Sequence, residues 1–322
     1  MNFPVFDLHC DTALELLGKE LDFSGQLRKN DSHIDLERAG TLPGYAQCFA
    51  CFTTPAMEQW YQKPPAEIFE REMICILRQV EKNADVISLC YNTKEVERNL
   101  RNRKMSAILT IEGPAGFGFN PEMLEDLYKV GFRITTLGWN EENVLAGSHI
   151  TGGGLTDLGR EYVREAQRLG MIIDVSHLSD EGFWDIMDIT RGPVIASHSN
   201  ARAVHHVSRN LTDDMFKAIC RTGGVAGLNL YTDFLGENAT LDTACDHILH
   251  WMELGGAKHI ALGGDLDGCE TLPTDFAGVQ DYEKLAQCLL ARGMSEQEVY
   301  DLFWNNAMGV MENAVCDHTK QI

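Results

Sequence analysis

Five short segments of this sequence each place a histidine or a carboxylate where an apolar run ends. In chain order they are Phe6–Asp11 (FDLHCD), Ile108–Gly113 (ILTIEG), Ile172–His177 (IIDVSH), Val194–His198 (VIASH) and Ile260–Asp265 (IALGGD). Histidine nitrogens and carboxylate oxygens are the ligands that hydrolytic zinc sites use. Five such segments in one chain therefore predict a metal site assembled from residues that are far apart in sequence.

The first segment carries one histidine between two aspartates. In an extended strand, residues two apart share a face, so Asp7, His9 and Asp11 are expected to point the same way. An imidazole and a carboxylate at this spacing can reach a single divalent ion. A lone His-x-Asp is more often a hydrogen-bonded surface pair, and the position at the end of a strand is what favours ligation.

The middle three segments offer one glutamate and two histidines. Glu112 ends a run of apolar or small residues, where a carboxylate is costly unless it is paired or bound to a metal. A glutamate can bridge two ions through its two oxygens. His177 and His198 each follow a serine in successive predicted strands, and as a pair they could bind a second ion. Taken singly, each is equally well explained as a hydrogen-bonded core histidine.

The last segment continues into Gly263–Gly268 (GGDLDG), whose glycines allow the backbone to approach a site closely. An unligated Asp265 could take a proton from a metal-bound water, and Asp267 could support the site from behind. Two ions that share a hydroxide can polarise a carbonyl and deliver the nucleophile, which is hydrolysis of an amide or ester. The nitrogen and oxygen ligands favour zinc, with manganese or cobalt as alternatives.

Eight strand-like runs must position these residues, and they alternate with amphipathic stretches. The runs are Val5–His9, Ala46–Phe52, Ser106–Glu112, Arg133–Leu137, Met171–Ser176, Val194–His198, Val225–Asn229 and His259–Gly263. Eight βα units predict an α/β fold, a closed (β/α)8 TIM-like barrel, in which residues at the carboxyl ends of the strands meet at one mouth. No linker divides the chain, so residues 1–322 are predicted to form a single domain. Long segments at 17–41, 53–65 and 140–156 follow strands and are expected to be loops on the carboxyl-terminal face.

Composition narrows the function classes. The net charge of −21 argues against nucleic acids and anionic membranes as partners. No apolar run is long enough to span a bilayer, and the first residues show no secretory pattern, so a cytoplasmic location is expected. The ten cysteines are scattered through apolar runs and are expected to be buried thiols. Cys48 and Cys51 have Cys-x-x-Cys spacing, but a structural zinc there would need two further ligands.

On these segments the chain resembles the membrane (renal) dipeptidases, metallopeptidases of the amidohydrolase superfamily that are built on a TIM-like barrel. The resemblance extends over nearly the whole chain and is carried by residues 7–11 (DLHCD), 111–113 (IEG), 174–179 (DVSHLS), 197–201 (SHSNA) and 263–268 (GGDLDG). It implies hydrolysis of dipeptides by a metal-bridging hydroxide, with two zinc ions per chain and small dipeptides as substrates. A homodimer is also a property that the resemblance suggests.

The resemblance also implies roles for individual residues. His9 and Asp11 would bind one zinc, His177 and His198 the other, and Glu112 would bridge them. Asp265 would shuttle the proton, and Arg209, in the segment SRNL, would receive the carboxylate of the dipeptide. A planar guanidinium suits that task because it can bind a carboxylate with two parallel hydrogen bonds.

Two positions depart from the family. Trp139 stands where mammalian members carry a substrate-contacting histidine, and Phe234 stands where the family has a tyrosine. Substrate preference is therefore not carried over, and His149 in the following glycine-rich loop is a candidate replacement donor. Bacterial relatives of similar architecture include dipeptidases that accept a D-residue at the C-terminal position, so L-Xaa-D-Xaa dipeptides are candidate substrates. Deacylation of N-acyl amino acids is an alternative activity. A non-catalytic barrel that only binds its partner is a third hypothesis, and the complete set of candidate ligands argues against it.

Overall fold

The computed structural model describes residues 3–316, and its centre is a sheet of parallel strands. The strands are β1 (Val5–Cys10), β2 (Tyr45–Phe52), β3 (Ile87–Leu89), β4 (Met105–Glu112), β5 (Phe132–Thr135), β6 (Ile172–Asp174), β7 (Val194–Ile195), β8 (Ala226–Leu228) and β9 (Ile260–Leu262). Eight of them follow the order β7-β6-β5-β4-β2-β1-β9-β8. A parallel bridge between Ala196 and Ala226 connects the two ends of this order. The predicted eight-stranded (β/α)8 barrel is confirmed.

Helices connect the strands and surround the barrel. They are α1 (Thr12–Leu17), α2 (Leu36–Ala39), α3 (Met57–Tyr61), α4 (Pro65–Lys82), α5 (Thr93–Arg101), α6 (Leu124–Val130), α7 (Asp157–Leu169), α8 (Asp180–Ile189), α9 (Asp213–Thr222), α10 (Thr232–Leu235), α11 (Leu241–Glu253), α12 (Tyr282–Ala291), α13 (Glu296–Tyr300) and α14 (Asn306–Cys316). Several of these helices have a side-chain cap at their first turn. At α8 the Ser179 side chain accepts from the Gly182 N–H, and at α9 the Thr212 side chain accepts from the Met215 N–H. A π-helical turn, Asp301–Asn305, joins α13 to α14.

The structure differs from the predicted strands in two ways. The ninth strand, β3, pairs with β4 outside the barrel order, and its three partly buried residues were too few to stand out in the sequence. The other difference concerns length, because β6 and β7 end at Asp174 and Ile195. His177 and His198 therefore lie three residues beyond their strands, in the loops at the carboxyl-terminal mouth, and not at strand ends as predicted.

The barrel interior is filled by alternate residues from seven of its strands and by Val225, which directly precedes β8. They include Phe6, Leu8, Ala46, Cys48, Ile108, Ile134, Ile172, Ile195, Val225 and Ala261, and they pack with Trp304, Met308 and Met311 from the C-terminal segment. We call this set the inner cluster. The Trp304 ring lies 5.8 Å from the Phe6 ring between centroids. The inner cluster leaves the carboxyl-terminal mouth as the one end at which polar side chains from the strands can meet.

The described cysteines are free thiols, and Cys48 and Cys51 are buried in β2. Neither belongs to a group of potential metal ligands within residues 3–316. Over the same residues, every helix is too short or too polar to cross a lipid bilayer.

Candidate metal centre

The carboxyl-terminal end of β1 delivers His9 and Asp11 to the barrel mouth, but it does so irregularly. The pairing register with β2 shifts between Asp7 and Cys10, so the alternation of a regular strand is lost there. The Asp7 carboxylate accepts hydrogen bonds from the backbone N–H groups of His9 (2.9 Å) and Gly264 (3.1 Å) and from the Tyr282 hydroxyl. The expectation that Asp7 would share a face with His9 and Asp11 is therefore wrong, and Asp7 instead holds β1 against β9 and α12.

Three imidazoles converge on the carboxylate of Glu112. The Nε2 atom of His9 lies 3.1 Å from Oε2 of Glu112. On the other side, Nε2 of His177 and Nε2 of His198 lie 3.0 and 3.7 Å from Oε1. All four side chains are buried. The two oxygens of one glutamate therefore face two different sets of histidines, which is the arrangement that a bridging carboxylate needs.

Two overlapping groups of ligand atoms could each hold a metal ion. One consists of His9, Glu112 and His198 and the other of His9, Asp11 and Asp265, with all ligand atoms of a group within 4.8 Å of one another. Nε2 of His9 and Oδ1 of Asp11 are buried and have no hydrogen-bond partner. Buried polar atoms are almost always satisfied, so these unpartnered atoms, together with the nitrogen and oxygen donors around them, fit a bound divalent cation.

Electrostatics divide the histidines into two kinds. Burial alone would lower the pKa of His9, but the charges of Glu112 and Asp11 outweigh it and hold that pKa well above its usual range. Burial raises the pKa of Glu112 to about 7, with Asp11 adding to the effect and His9 opposing it. The pKa values of His177 and His198 are instead well below the usual range, because of burial first and of neighbouring positive groups second. Neutral imidazoles with free lone pairs are the form in which histidine binds metals.

The second ring nitrogens of His177 and His198 have oxygen partners. Nδ1 of His177 lies 2.8 Å from Oδ1 of Asn140, and Nδ1 of His198 lies 2.7 Å from Oγ of Ser197. The Ser197 hydroxyl in turn donates to Asp174. Partners of this kind hold a metal-binding imidazole in place and leave its other nitrogen for the ion. Asn140 was not a predicted site residue, since a single amide side chain after a strand is too common to be a signal.

Asp265 approaches the same centre from the loop after β9. Its Oδ2 accepts a hydrogen bond from the Asn229 amide (2.9 Å), and its Oδ1 lies 3.8 Å from Nε2 of His9. Burial raises the pKa of this carboxyl. A Cβ atom on Gly268 would lie only 2.0 Å from Oδ2 of Asp11 and 2.8 Å from Oδ1 of Asp265, so the glycine leaves room for both carboxylates.

Asp267 faces away from this centre and fixes the long segment that follows β1. Its carboxylate accepts from the Thr12 hydroxyl (2.6 Å) and the His33 backbone N–H (2.5 Å). Its own backbone N–H donates to Nδ1 of His33 (2.9 Å). The predicted supporting role therefore takes the form of an anchor for the loop around His33.

Arg209 lies beside the histidine pair and is buried. Its two terminal nitrogens donate to Oγ of Ser199 (2.6 Å) and to the carbonyl of His198 (2.9 Å), while its Nε has no partner. The Phe234 ring centroid is 5.5 Å from its Cζ atom. A guanidinium held in this way next to the centre, with an unpartnered N–H, can receive an anionic group.

Trp139 forms part of an aromatic wall beside His177. The two rings lie 6.2 Å apart between centroids, and Trp139 also packs against Phe52 (5.2 Å) and the half-exposed Trp60 (5.9 Å). His149 lies in the same region, 6.2 Å from the His177 ring. All nine predicted site residues, together with His149, therefore lie at one mouth of the barrel.

One buried acid close to this centre, Glu72, was not among the residues predicted from the sequence. Glu72 of α4 is fully buried, its Oε2 accepts from the Phe52 N–H (2.6 Å), and its Oε1 has no partner. Burial, reinforced by the negative charges of Asp11 and Glu112, raises its pKa well above the usual range. The sequence held a signal, because Glu72 lies midway between Ile68 and Ile76 on the apolar face of the helix, where a charged residue is unexpected.

Comparisons with known proteins agree with this geometry. A family model described as membrane dipeptidase (peptidase family M19) matches residues 1–321. The chain is 36% identical over 231 residues to an uncharacterised dipeptidase of Schizosaccharomyces pombe, covering 69% of this chain but 56% of the yeast protein. It thus spans little more than half the length of that relative. It is also 32% identical over 263 residues to an uncharacterised protein of Klebsiella pneumoniae, covering 77% of this chain and 97% of that protein.

Two solved structures are similar over almost their whole length. One is a metallopeptidase from Rhodobacter sphaeroides liganded with a phosphinate mimic of the dipeptide L-Ala-D-Ala, with a TM-score of 0.88, 28% sequence identity, and coverage of 98% of this chain and 100% of that chain. The other is dipeptidase AC, described as a metallopeptidase of family M19, with a TM-score of 0.85, 28% identity, and coverage of 98% and 99%.

Proposed function

The chain belongs to the membrane dipeptidase family of metallopeptidases, and from this premise we propose that it hydrolyses dipeptides at a centre of two divalent metal ions. The observation that carries the proposal is the carboxylate of Glu112, whose two oxygens face His9 on one side and the pair His177 and His198 on the other. The family's chemistry and the convergence of ligands at the barrel mouth support the same conclusion. We propose further that residues 1–322 act as one catalytic domain, because the proposed site residues range from His9 to Asp265 along the chain.

The proposed ligand sets are those that the family resemblance implies, and the contacts around Glu112 support them. His9 and Asp11 would hold one ion, His177 and His198 would hold the other, and Glu112 would contribute one oxygen to each. Zinc is favoured by these nitrogen and oxygen donors, with manganese or cobalt as alternatives. When bound, the two ions would polarise the scissile carbonyl and lower the pKa of water to generate the nucleophile.

Asp265 is the proposed proton carrier. Its carboxylate is buried, is fixed at Oδ2 by the Asn229 amide and has Oδ1 directed toward the histidine side of the centre. Burial raises the pKa of Asp265, which favours a group able both to accept a proton and to return it. In this role it would take a proton from the attacking water at Oδ1 and pass that proton to the leaving amine.

Arg209 would receive the C-terminal carboxylate of the dipeptide, with Phe234 forming the adjacent wall. Its unpartnered Nε–H and its hydrogen bonds to Ser199 and the His198 carbonyl support this role, because they keep the guanidinium beside the metal ligands. The aromatic surface of Trp139, on the other side of His177, would contact the remaining part of the substrate.

The substrate class is proposed to include L-Xaa-D-Xaa dipeptides. The structurally similar Rhodobacter sphaeroides metallopeptidase was crystallised with a phosphinate mimic of L-Ala-D-Ala. This likeness supports acceptance of a D-residue next to Arg209. Side-chain preference is expected to differ between relatives, since Trp139 and Phe234 depart from the residues of the mammalian members.

The proposal is tested by measuring bound metal in the purified protein and then hydrolysis of a panel of L-Xaa-L-Xaa and L-Xaa-D-Xaa dipeptides. About two ions per chain together with cleavage of free dipeptides is the expected result. Two ions with faster cleavage of N-acyl amino acids would favour the deacylase alternative. A protein that takes up no metal during zinc titration would overturn the proposal.

The role of Asp265 has its own test in Asp265→Asn. The amide can still accept from Asn229 but cannot carry a proton at neutral pH. We expect metal content to stay unchanged while kcat falls by about a hundredfold to ten-thousandfold, the usual contribution of general acid–base catalysis. Activity close to that of the wild type would remove Asp265 from the mechanism.

A further inference from the structure

The loop after β5 connects the metal-facing His177 to a second histidine that the proposed reaction does not use. Oδ1 of Asn140 lies 2.8 Å from Nδ1 of His177 and 2.9 Å from Nε2 of His149. The other ring nitrogen of His149, Nδ1, lies 3.0 Å from Oγ of Ser208. The backbone N–H of His149 also donates to the carbonyl of His177 (2.8 Å). One amide oxygen thus faces two imidazoles, and His149 is fixed at three points, two on its ring and one on its backbone.

The hydrogen-bonding capacity of the Asn140 amide oxygen indicates which ring nitrogens of His177 and His149 carry hydrogen. A carbonyl oxygen accepts hydrogen bonds and never donates them, so both ring nitrogens that face Asn140 must carry hydrogen. In neutral His177 the hydrogen is then on Nδ1, and Nε2 keeps its lone pair. That Nε2 is the atom that lies 3.0 Å from both Glu112 and Nε2 of His198. The tautomer set by Asn140 is the one that can bind a metal at the centre.

His149 favours the orientation in which the amide oxygen of Asn140, and not its nitrogen, faces His177. When the Ser208 hydroxyl donates to Nδ1 of His149, the hydrogen of the neutral ring is on Nε2 and points at Asn140. In that tautomer an amide NH2 would meet a donor and could not form the bond. If the amide were reversed, it would donate to Nδ1 of His177 and move the ring hydrogen to Nε2, where it would block the metal.

We propose that Asn140, oriented by His149, is a positioning residue that selects the tautomer of His177 and presents its Nε2 to the metal. The inference rests on the proposed metal centre. It assigns His149 a different task from that of a substrate donor, because both of its ring nitrogens are already engaged, one by Asn140 and the other by Ser208. The partner of His198 is different, since Ser197 backed by Asp174 serves that ring.

The test is zinc affinity of the metal-free protein, measured by competition with a chelator, in wild type and three variants. Asn140→Leu removes the acceptor, and we expect about a tenfold to hundredfold weaker affinity for the ion, the usual cost of losing such a partner. Asn140→Asp keeps an oxygen acceptor and should remain within about threefold of wild type. Asn143→Ala is the matched control, because Asn143 bonds to Leu137, Leu145 and Ala146 of the same region without a bond to His177.

A spectroscopic readout separates tautomer selection from a purely structural role. In ¹⁵N-histidine spectra of the metal-free protein, the His177 signals should show hydrogen on Nδ1 in wild type and in Asn140→Asp, and should move toward the other tautomer in Asn140→Leu. His149→Phe leaves Asn140 in place and should weaken zinc binding in the same direction by a smaller factor. It serves as the second variant if Asn140→Leu does not fold.

The outcomes are distinguishable. Wild-type affinity in Asn140→Leu, or equal losses in Asn140→Asp and Asn140→Leu, would overturn the role of Asn140 while leaving the metal centre intact. A loss in Asn143→Ala as large as that in Asn140→Leu would assign the effect to loop structure and overturn it too. A wild-type protein that binds no zinc would overturn this inference and the proposed function together.

Discussion

Glu112 and Glu72 are both buried glutamates, yet their surroundings give them different chemistry. Glu112 lies inside the barrel mouth, where three imidazoles face its two oxygens. Glu72 lies outside the barrel, between α4 and β2, where one oxygen accepts the Phe52 N–H and the other has no partner. Burial raises the pKa of both carboxyls, to about 7 for Glu112 and well above the usual range for Glu72.

The difference shows that burial alone does not make a metal ligand. Glu112 is surrounded by nitrogen donors that could share a cation with it, so its charged form can be stabilised when an ion binds. Within residues 3–316, the charged groups that act on Glu72 are the carboxylates of Asp11 and Glu112, and both disfavour a further negative charge. We therefore expect Glu112 to be an anion when an ion is bound, and Glu72 to stay protonated at neutral pH.

Replacing each glutamate by glutamine should give the largest contrast. Glu112→Gln removes the charge that both proposed ions would share, so we expect bound metal to be lost and kcat/KM to fall at least about a thousandfold, equivalent to about 4 kcal/mol. Glu72→Gln should leave metal content and kcat/KM within about twofold, since it touches no ligand. Metal analysis and dipeptide hydrolysis measure both. Equal losses in the two variants would contradict the comparison.

A second substitution places a methyl group against Asp11 and Asp265 without removing either carboxylate. In Gly268→Ala the new methyl would lie between the carboxylates of Asp11 and Asp265 and push them apart. We expect zinc affinity to fall by about tenfold to hundredfold, similar to the loss of a supporting partner. Gly309→Ala is the control, because a Cβ there meets nothing within 4 Å. Unchanged zinc affinity in Gly268→Ala would show that the two carboxylates need not approach each other.

Acidity should oppose metal uptake at Glu112 and leave the Glu72 region unaffected. The pKa values of His9 and Glu112 are both raised without metal, so both groups hold protons near neutral pH that an ion must displace. Apparent zinc affinity should therefore fall by more than about tenfold between pH 8 and pH 6. Chelator competition at several pH values measures this, and Glu72→Gln should show the same slope. A flat profile would mean that His9 and Glu112 are already deprotonated.

The smallest expected effect concerns stability. The folded-state pKa of Glu72 is raised above its ordinary value of 4.5, so the folded protein binds this proton more tightly than the unfolded chain does. Its contribution is complete below about pH 4.5 and is lost as pH rises toward the folded-state pKa. We expect Glu72→Gln to be more stable than wild type by about 1–3 kcal/mol at pH 8, with the difference shrinking toward pH 4.5. Urea unfolding at both pH values tests this, and a difference that grows with acidity would refute it.

The barrel and the proposed metal ligands could be predicted from the sequence because both depend on patterns that repeat. Each ligand segment combines an apolar run with a polar residue near its end, and five repetitions outweigh the ambiguity of any one, such as His9-x-Asp11. The boundaries were less accessible. His177 and His198 lie beyond their strands because Asp174 and Ile195 end the ladder pairing there, and no local residue type marks that point.

The residues that the sequence did not reveal act through three-dimensional contacts alone. The role proposed for Asn140 depends on the folded chain, which brings ring nitrogens of both His149 and His177 to its amide oxygen. Asp7 deviates from its expected face because β1 shifts register, which depends on pairing with β2. Glu72 could have been found, since it interrupts the apolar face of α4, whereas nothing in the sequence indicated that it would lie close to Asp11 and Glu112.

The inner cluster has a consequence for how the protein is made. Phe6 of the first strand packs against Trp304, close to the end of the chain, so the barrel interior lacks its final layer until the C-terminal segment has been synthesised. At ribosomal rates of about 5–20 residues per second, the intervening stretch of about 300 residues takes roughly 15–60 seconds to emerge. During that interval the nascent chain carries unburied apolar strands, and holding chaperones are expected to engage it until Trp304 leaves the ribosome.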